Sequence, residues 1–242
     1  MDDHSNNKYD FSNKIVVVTG GTGALGSYIT NAFLRSNAQV VATFVKEREN
    51  SQLERDSKLK ATLIKADLTN EEEVKSLVSN VLEQYNRIDI LVNVVGGYIG
   101  GKPITDLEER EWDLMMTLNL KTAFFISKYV TRHMLKFKYG KIIHIGSRNG
   151  LHSEGYDSAY SASKSGLIRL VESLAEETKK ANINVNCILP SIIDTQANRK
   201  AMPNAEFDKW IKPEDLSDVI LFLSSDEAKT ITGAAIPTFG IN

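Results

Sequence analysis

Short apolar runs rich in β-branched residues alternate along the chain with longer amphipathic stretches. A period near two giving way repeatedly to a period near 3.6 predicts βαβ units and a parallel sheet. Residues 14–19, 39–45, 62–66, 88–93, 141–147 and 182–189 read as strands, and a last strand covers 234–239. Helices are expected near 24–36, 71–86, 109–137, 157–180 and 213–224, in a count of about six helices for the chain. Several carry start signals: Thr69 ahead of Glu71, Glu72 and Glu73, Asp106 ahead of Glu108 and Glu109, and Pro213 ahead of Glu214 and Asp215. The expected fold is α/β: one doubly wound, Rossmann-like parallel sheet of about seven strands. A polar N-terminal extension over 1–12 precedes a single domain over 13–242, and such folds bind ligands where the strand order reverses.

Composition narrows the function. The 242 residues are 42% hydrophobic and 25% charged, enough for one substantial core, and the formal charge of -2 gives no general attraction for nucleic acid or anionic membranes. No apolar run reaches the ~18–20 residues of a membrane span, and Met1 to Asp10 are polar, so a cytoplasmic protein is expected. The one cysteine, Cys187, lies in an apolar run and reads as a buried thiol. His4, His133, His144 and His152 lack the spacing of a zinc site, so no catalytic metal is expected, and His144 reads as a packed core histidine.

The first predicted strand runs into Thr19-Gly20-Gly21-Thr22-Gly23-Ala24-Leu25-Gly26 and then a helix. Glycines between a strand and a helix N-terminus let a pyrophosphate approach the backbone closely. Further on, Tyr160 and Lys164 occur in Tyr-Ser-Ala-Ser-Lys at a predicted helix start, and their i,i+4 spacing puts both on one face. An ammonium beside a phenol favours the phenolate, so Lys164 is expected to lower the pKa of Tyr160. A second such pair, Tyr98 and Lys102, spans Gly100 and Gly101, which argues against a helix there.

With Asn93 and Gly96 after the fourth strand, Asn119 in the long third helix and Ser147 thirteen residues before Tyr160, these positions resemble the short-chain dehydrogenase/reductase family over about 14–239. The resemblance implies hydride exchange between a nicotinamide cofactor and a carbonyl or alcohol. Ser147 would polarise the substrate oxygen, Tyr160 would donate the proton, Lys164 would serve both tyrosine and ribose, and Asn119 would hold a relay water. It further implies cofactor contacts from Gly20, Thr22, Gly23, Ala24, Leu25 and Gly26, from Asn93 and Gly96, and from Pro190, Ile193 and Thr195 around the nicotinamide amide. Asp67 and Leu68 match an adenine-contacting position, although Asp67 is equally a turn residue. Two departures stand out: Ala24 replaces the middle glycine of the usual T-G-x-x-x-G-x-G, and Asn93-Val94-Val95-Gly96-Gly97 replaces N-A-G.

At the end of the second strand Phe44 occupies the place where NAD-preferring relatives carry an acidic residue, and Lys46 and Arg48 follow. The expected cofactor is therefore NADP over NAD, with the cations either meeting a 2′-phosphate or remaining solvated beside Glu47. Residues 191–212 are expected to form a substrate lid, within which 194–210 resemble the matching segment of dihydropteridine reductases, which raises a pterin-like substrate as an alternative. Arg199 and Lys200 there either contact a polar substrate or form a solvated face. A nucleotide-binding protein without turnover is the non-enzymatic alternative, disfavoured by the intact Ser147, Tyr160 and Lys164. The long helices 109–137 and 157–180 resemble those that pair in family homodimers and homotetramers.

Overall fold

The computed structural model describes residues 8–46 and 60–240. Seven strands, β1 (Ile15–Thr19), β2 (Gln39–Phe44), β3 (Thr62–Lys65), β4 (Ile90–Asn93), β5 (Gly140–Ile145), β6 (Ile183–Pro190) and β7 (Ala235–Thr238), form one sheet in the order β3-β2-β1-β4-β5-β6-β7. Every pairing is parallel, with Val17 opposite Val41 on one side and Leu91 on the other. The strand alternation feeds two cores. Val17, Leu91, Ile142 and Val185 point to one face, and Val16, Val18, Ile90, Val92 and Ile143 to the other. A sheet buried on both faces accounts for strands that read as continuous apolar runs.

The first face is covered by α2 (Glu71–Tyr85), α4 (Thr122–Phe137) and α5 (Ser158–Thr178) through Val74, Leu77, Ile126, Val130, Leu167 and Val171. The second is covered by α1 (Gly26–Arg35) and α7 (Pro213–Ser224) through Ile29, Phe33, Leu216 and Ile220. Two further helices are shorter, α3 (Glu109–Met116) and α6 (Gln196–Ala201), and α6 lies in a segment for which no helix was predicted.

The expected strands are all present within a residue or two at each end. Two helix caps differ from the expected ones. Asn70, not Thr69, caps α2, accepting hydrogen bonds from the backbone of Glu72 and Glu73. Glu108, not Asp106, begins α3, in a reciprocal capping box with Glu111, while Asp106 closes a separate 3-10 turn. The expected helix 109–137 is interrupted by a π-helical turn at Thr117–Lys121, with Asn119 at its centre. Arg48, Glu47 and His4 lie outside the described residues. Among the described residues no helix is long and apolar enough to cross a membrane.

Candidate active site

The sheet reverses its order between β1 and β4, and the loops leaving these two strands meet there. Gly20 (φ +62°) follows β1, and a Cβ on it would touch Val95 in the loop after β4. The glycine loop folds tightly, with Gly23 donating to the Gly20 carbonyl at 3.0 Å. Gly26 opens α1, and a Cβ on it would stand 2.0 Å from the Gly20 carbonyl oxygen. The helix therefore begins directly behind the loop, two residues later than the sequence predicts, and presents its N-terminal N–H groups beside it. Gly21, absent from the expected contacts, packs closely on Ala42 of β2. Ala24 is exposed at the loop's outer side and lines a cleft of about 260 Å³ with Tyr28, Asp194, Thr195, Gln196 and Arg199.

The candidate catalytic residues converge from two elements, the end of β5 and the first turns of α5. Ser147 lies two residues beyond β5, its Oγ accepting from the Asn149 N–H at 3.2 Å, and its side chain acts to lower the pKa of the Tyr160 hydroxyl. Lys164, one turn further along α5, is buried, and its ammonium donates to the Ile145 carbonyl at 2.8 Å. Its Nζ lies 5.9 Å from the Tyr160 ring centroid, and a Cβ on Gly96 would come within 3.4 Å of it. Only a residue without a side chain leaves that approach to the ammonium open. Burial holds Lys164 down to about 8, with a small opposing contribution from Cys187.

Tyr160 departs from expectation. Its pKa is raised rather than lowered, first by burial and then by Asp157, against a lowering hydrogen bond from Ser147. The Lys164 ammonium is directed at Ile145 rather than at the phenol oxygen, so desolvation outweighs it. Cys187 is a buried thiol pushed up to about 12 by that burial.

Several predicted contacts are engaged with the protein itself. The Asn119 side chain donates to the Gly97 carbonyl and Ser163 Oγ, both at 3.0 Å, and accepts from the Gly97 N–H at 2.9 Å. It thereby locks the β4 loop to α5. Asn93 accepts from Thr19 Oγ1 at 2.6 Å and donates its amide to His144 Nδ1 at 3.2 Å. His144 is fully buried and held down to about 3 by burial, hence neutral, so its proton is on Nε2 and is donated to Ser127 Oγ at 3.1 Å. Asp67 accepts from both the backbone and hydroxyl of Thr69, the turn role, and the adjacent Leu68 is buried in the core. Thr22 is buried beneath the glycine loop.

On the far side, Pro190 ends β6 beside Thr238. Ile193 bridges to Ile211, and its carbonyl accepts from Asn198 Nδ2 at 2.8 Å. Thr195 caps α6, its Oγ1 accepting from the Asn198 N–H at 3.2 Å and keeping its own proton to donate. Arg199 grips Asp194 through two bonds of 2.6 and 2.7 Å. Phe44 ends β2 in register with the exposed Lys65 of β3, and Lys46 is exposed two residues on. Sequence reasoning missed Lys65, which only strand pairing brings to Phe44.

Sequence reasoning set Tyr98 aside together with Lys102, and missed Asn149 and Asp157. Tyr98 meets the Tyr160 ring edge-on, with centroids 4.9 Å apart, and Lys102 is paired instead with Glu111 at 2.5 Å. The glycine cradle at α1, the open approach to Lys164 past Gly96 and the donor Thr195 fit a nicotinamide dinucleotide.

Residues 14–206 match the model of the short chain dehydrogenase family. The chain is 29% identical to a 3-oxoacyl-[acyl-carrier-protein] reductase of Thermotoga maritima, covering 92% of this chain and 95% of that one. It is 31% identical to an NAD-dependent glycerol dehydrogenase of Listeria innocua, over 93% of this chain and 92% of the relative. Among solved structures, gox2181 superposes with a TM-score of 0.89 at 30% identity over 96% of each chain. ElxO with NADP bound superposes with a TM-score of 0.88 at 25% identity, covering 94% of this chain and 97% of that one. Glycine cradle, sheet order and matched sequence agree: the chain belongs to the short-chain dehydrogenase/reductase family and is an NAD(P)-dependent oxidoreductase.

Proposed function

We propose that this enzyme interconverts a carbonyl and an alcohol with Tyr160 as the proton donor, working as a reductase with NADPH. The observation that carries the reading is the junction of Ser147, Tyr160 and Lys164, in which the serine acts on the phenol and a buried ammonium sits one helical turn away. When bound, the nicotinamide supplies the hydride. Ser147 Oγ–H donates to the substrate oxygen, and Tyr160 O–H passes its proton to that oxygen as the alcohol forms. A phenol whose pKa is raised remains protonated through the neutral range, which suits reduction. Lys164 offers its remaining N–H donors to the ribose hydroxyls. Asn119, its amide fully engaged, positions the β4 loop and α5 rather than moving a proton.

NADPH is favoured over NADH because Phe44 leaves no carboxylate at the end of β2, while Lys65 and Lys46 place positive charge beside it. The ElxO neighbour holds NADP. Residues 191–212 form the substrate lid. The substrate class follows the 3-oxoacyl reductase and glycerol dehydrogenase relatives, both of which act at a carbonyl/alcohol carbon. The long α4 and α5 helices, with Phe124, Leu135 and Phe137 exposed on α4, support a homodimer or homotetramer.

The test is a panel of 3-oxoacyl thioesters, simple ketones and quinonoid dihydropterin, each run with NADPH and NADH. Ketone or thioester reduction with NADPH is expected. Turnover of the dihydropterin alone would favour the pterin reading of the lid, and cofactor binding without turnover of any carbonyl would refute the reading.

A further inference from the structure

Tyr98 is 61% exposed, so burial alone does little to fix its ring. Its orientation comes from its hydroxyl, which donates to Asp157 Oδ1 at 2.9 Å. Asp157 is buried just ahead of α5, and its second oxygen accepts from Asn149 Nδ2, also at 2.9 Å. Asn149 in turn donates its backbone N–H to Ser147 Oγ, and Ser147 acts on the Tyr160 hydroxyl. The circuit closes where the Tyr98 and Tyr160 rings meet at 85°. The Asp157 carbonyl also accepts from the Ser161 N–H at 2.8 Å, so anchor and reacting tyrosine share one helix start.

We propose that Tyr98, anchored by Asp157 and Asn149, is a positioning residue that clamps the Tyr160 ring against Ser147. The inference rests on Tyr160 being the proton donor. Tyr98 cannot substitute as that donor: burial of its hydroxyl and the hydrogen bond to Asp157 push it up to about 12, and its proton is committed to the carboxylate. The Tyr160 ring faces Lys164 from its own helix, Asp157 from the helix start and Tyr98 from the β4 loop. Of the neighbouring charges, Glu154 is paired with Arg148 and Lys102 with Glu111, which leaves Asp157 as the carboxylate acting on the phenol. An edge-to-face contact is worth about 0.5–1.5 kcal/mol, enough to select one rotamer of a half-buried ring.

The experiment compares Tyr98→Phe, Asp157→Asn and Tyr160→Phe in the full chain, with reduction rates across pH, cofactor Kd by fluorescence and Tm as a check on folding. Tyr98→Phe keeps the ring but frees it, and should lower kcat by roughly 5- to 20-fold with cofactor Kd unchanged. Asp157→Asn keeps the shape and removes the charge, so the alkaline limb of the reduction profile should move to lower pH by about half a unit to one unit. A purely structural role would not move that limb. If Asp157→Asn fails to fold, the exposed Tyr98→Phe still decides through kcat. Tyr98→Phe and a folded Asp157→Asn that both retain the wild-type rate and limb, beside an inactive Tyr160→Phe, would overturn the clamp and leave the donor assignment standing. An active Tyr160→Phe would overturn the donor assignment and the clamp with it.

Discussion

Replacing Lys164 by methionine should stabilise the free enzyme while disabling it. Methionine matches the length of the lysine stem, so packing is kept and the ammonium is deleted. Burial holds Lys164 at about 8 against its ordinary 10.5, a gap corresponding to about 3 kcal/mol of cost to the folded state at neutral pH. Against this, the Ile145 carbonyl loses its donor, worth about 1–2 kcal/mol. The net gain is about 1–2 kcal/mol, or a rise in Tm of about 2–8 °C for a chain of this size. The pH dependence fixes the sign independently. Below about pH 8 the side chain is charged in both states and the cost is present in full. Between there and 10.5 the folded protein sheds the proton while the unfolded chain keeps it, so wild-type stability rises with pH relative to the variant. The assay is thermal unfolding followed by circular dichroism, without cofactor, from about pH 7 to 9.5. A variant that melts below the wild type at pH 7, or whose lead does not narrow toward pH 9.5, would refute the account of Lys164 as a charge buried for function.

Three further outcomes follow from the same site. NADPH should bind more weakly as pH rises past about 8, by at most about tenfold per unit, because ribose acceptors favour the protonated Lys164; equilibrium fluorescence that finds a pH-independent Kd over this range would contradict the ribose contact. Gly26→Ala sets a Cβ 2.0 Å from the Gly20 carbonyl, so the loop must shift, and cofactor Kd should rise at least about tenfold with a stability loss of about 1–3 kcal/mol; calorimetric titration showing wild-type affinity would remove the cradle from the binding site. Phe44→Asp should shift the ratio of kcat/KM for NADPH over NADH toward NADH by about tenfold or more, through repulsion of a 2′-phosphate, and an unchanged ratio would mean that another residue reads the ribose.

The glycine loop and the Tyr160–Lys164 pair were legible in the sequence because their signals are local: a strand, glycines at a helix start, and a four-residue spacing on one helix. The clamp was not, because Tyr98 and Asp157 are 59 residues apart and meet only when the β4 loop folds over the start of α5. Lys65 became visible beside Phe44 only through the β2–β3 register. The direction of the Tyr160 shift was misjudged because proximity of Lys164 in sequence says nothing about where its ammonium points or how deeply the phenol sits. The π turn around Asn119 escaped notice because one widened turn leaves the apolar period of the flanking helices nearly unchanged. Asn93, expected at the cofactor, has its side chain bound between Thr19 and His144, a cross-strand arrangement that a residue-by-residue resemblance does not reveal.

The assignment of Tyr160 as proton donor is tested most directly by the single-turnover rate of NADPH oxidation with a saturating carbonyl substrate in Tyr160→Phe and wild type, at matched folding and measured cofactor Kd. Deleting the one transferable proton while keeping the ring should slow that step by about 100-fold or more and leave Kd within about twofold. A Tyr160→Phe enzyme that oxidises NADPH near the wild-type rate would contradict the assignment.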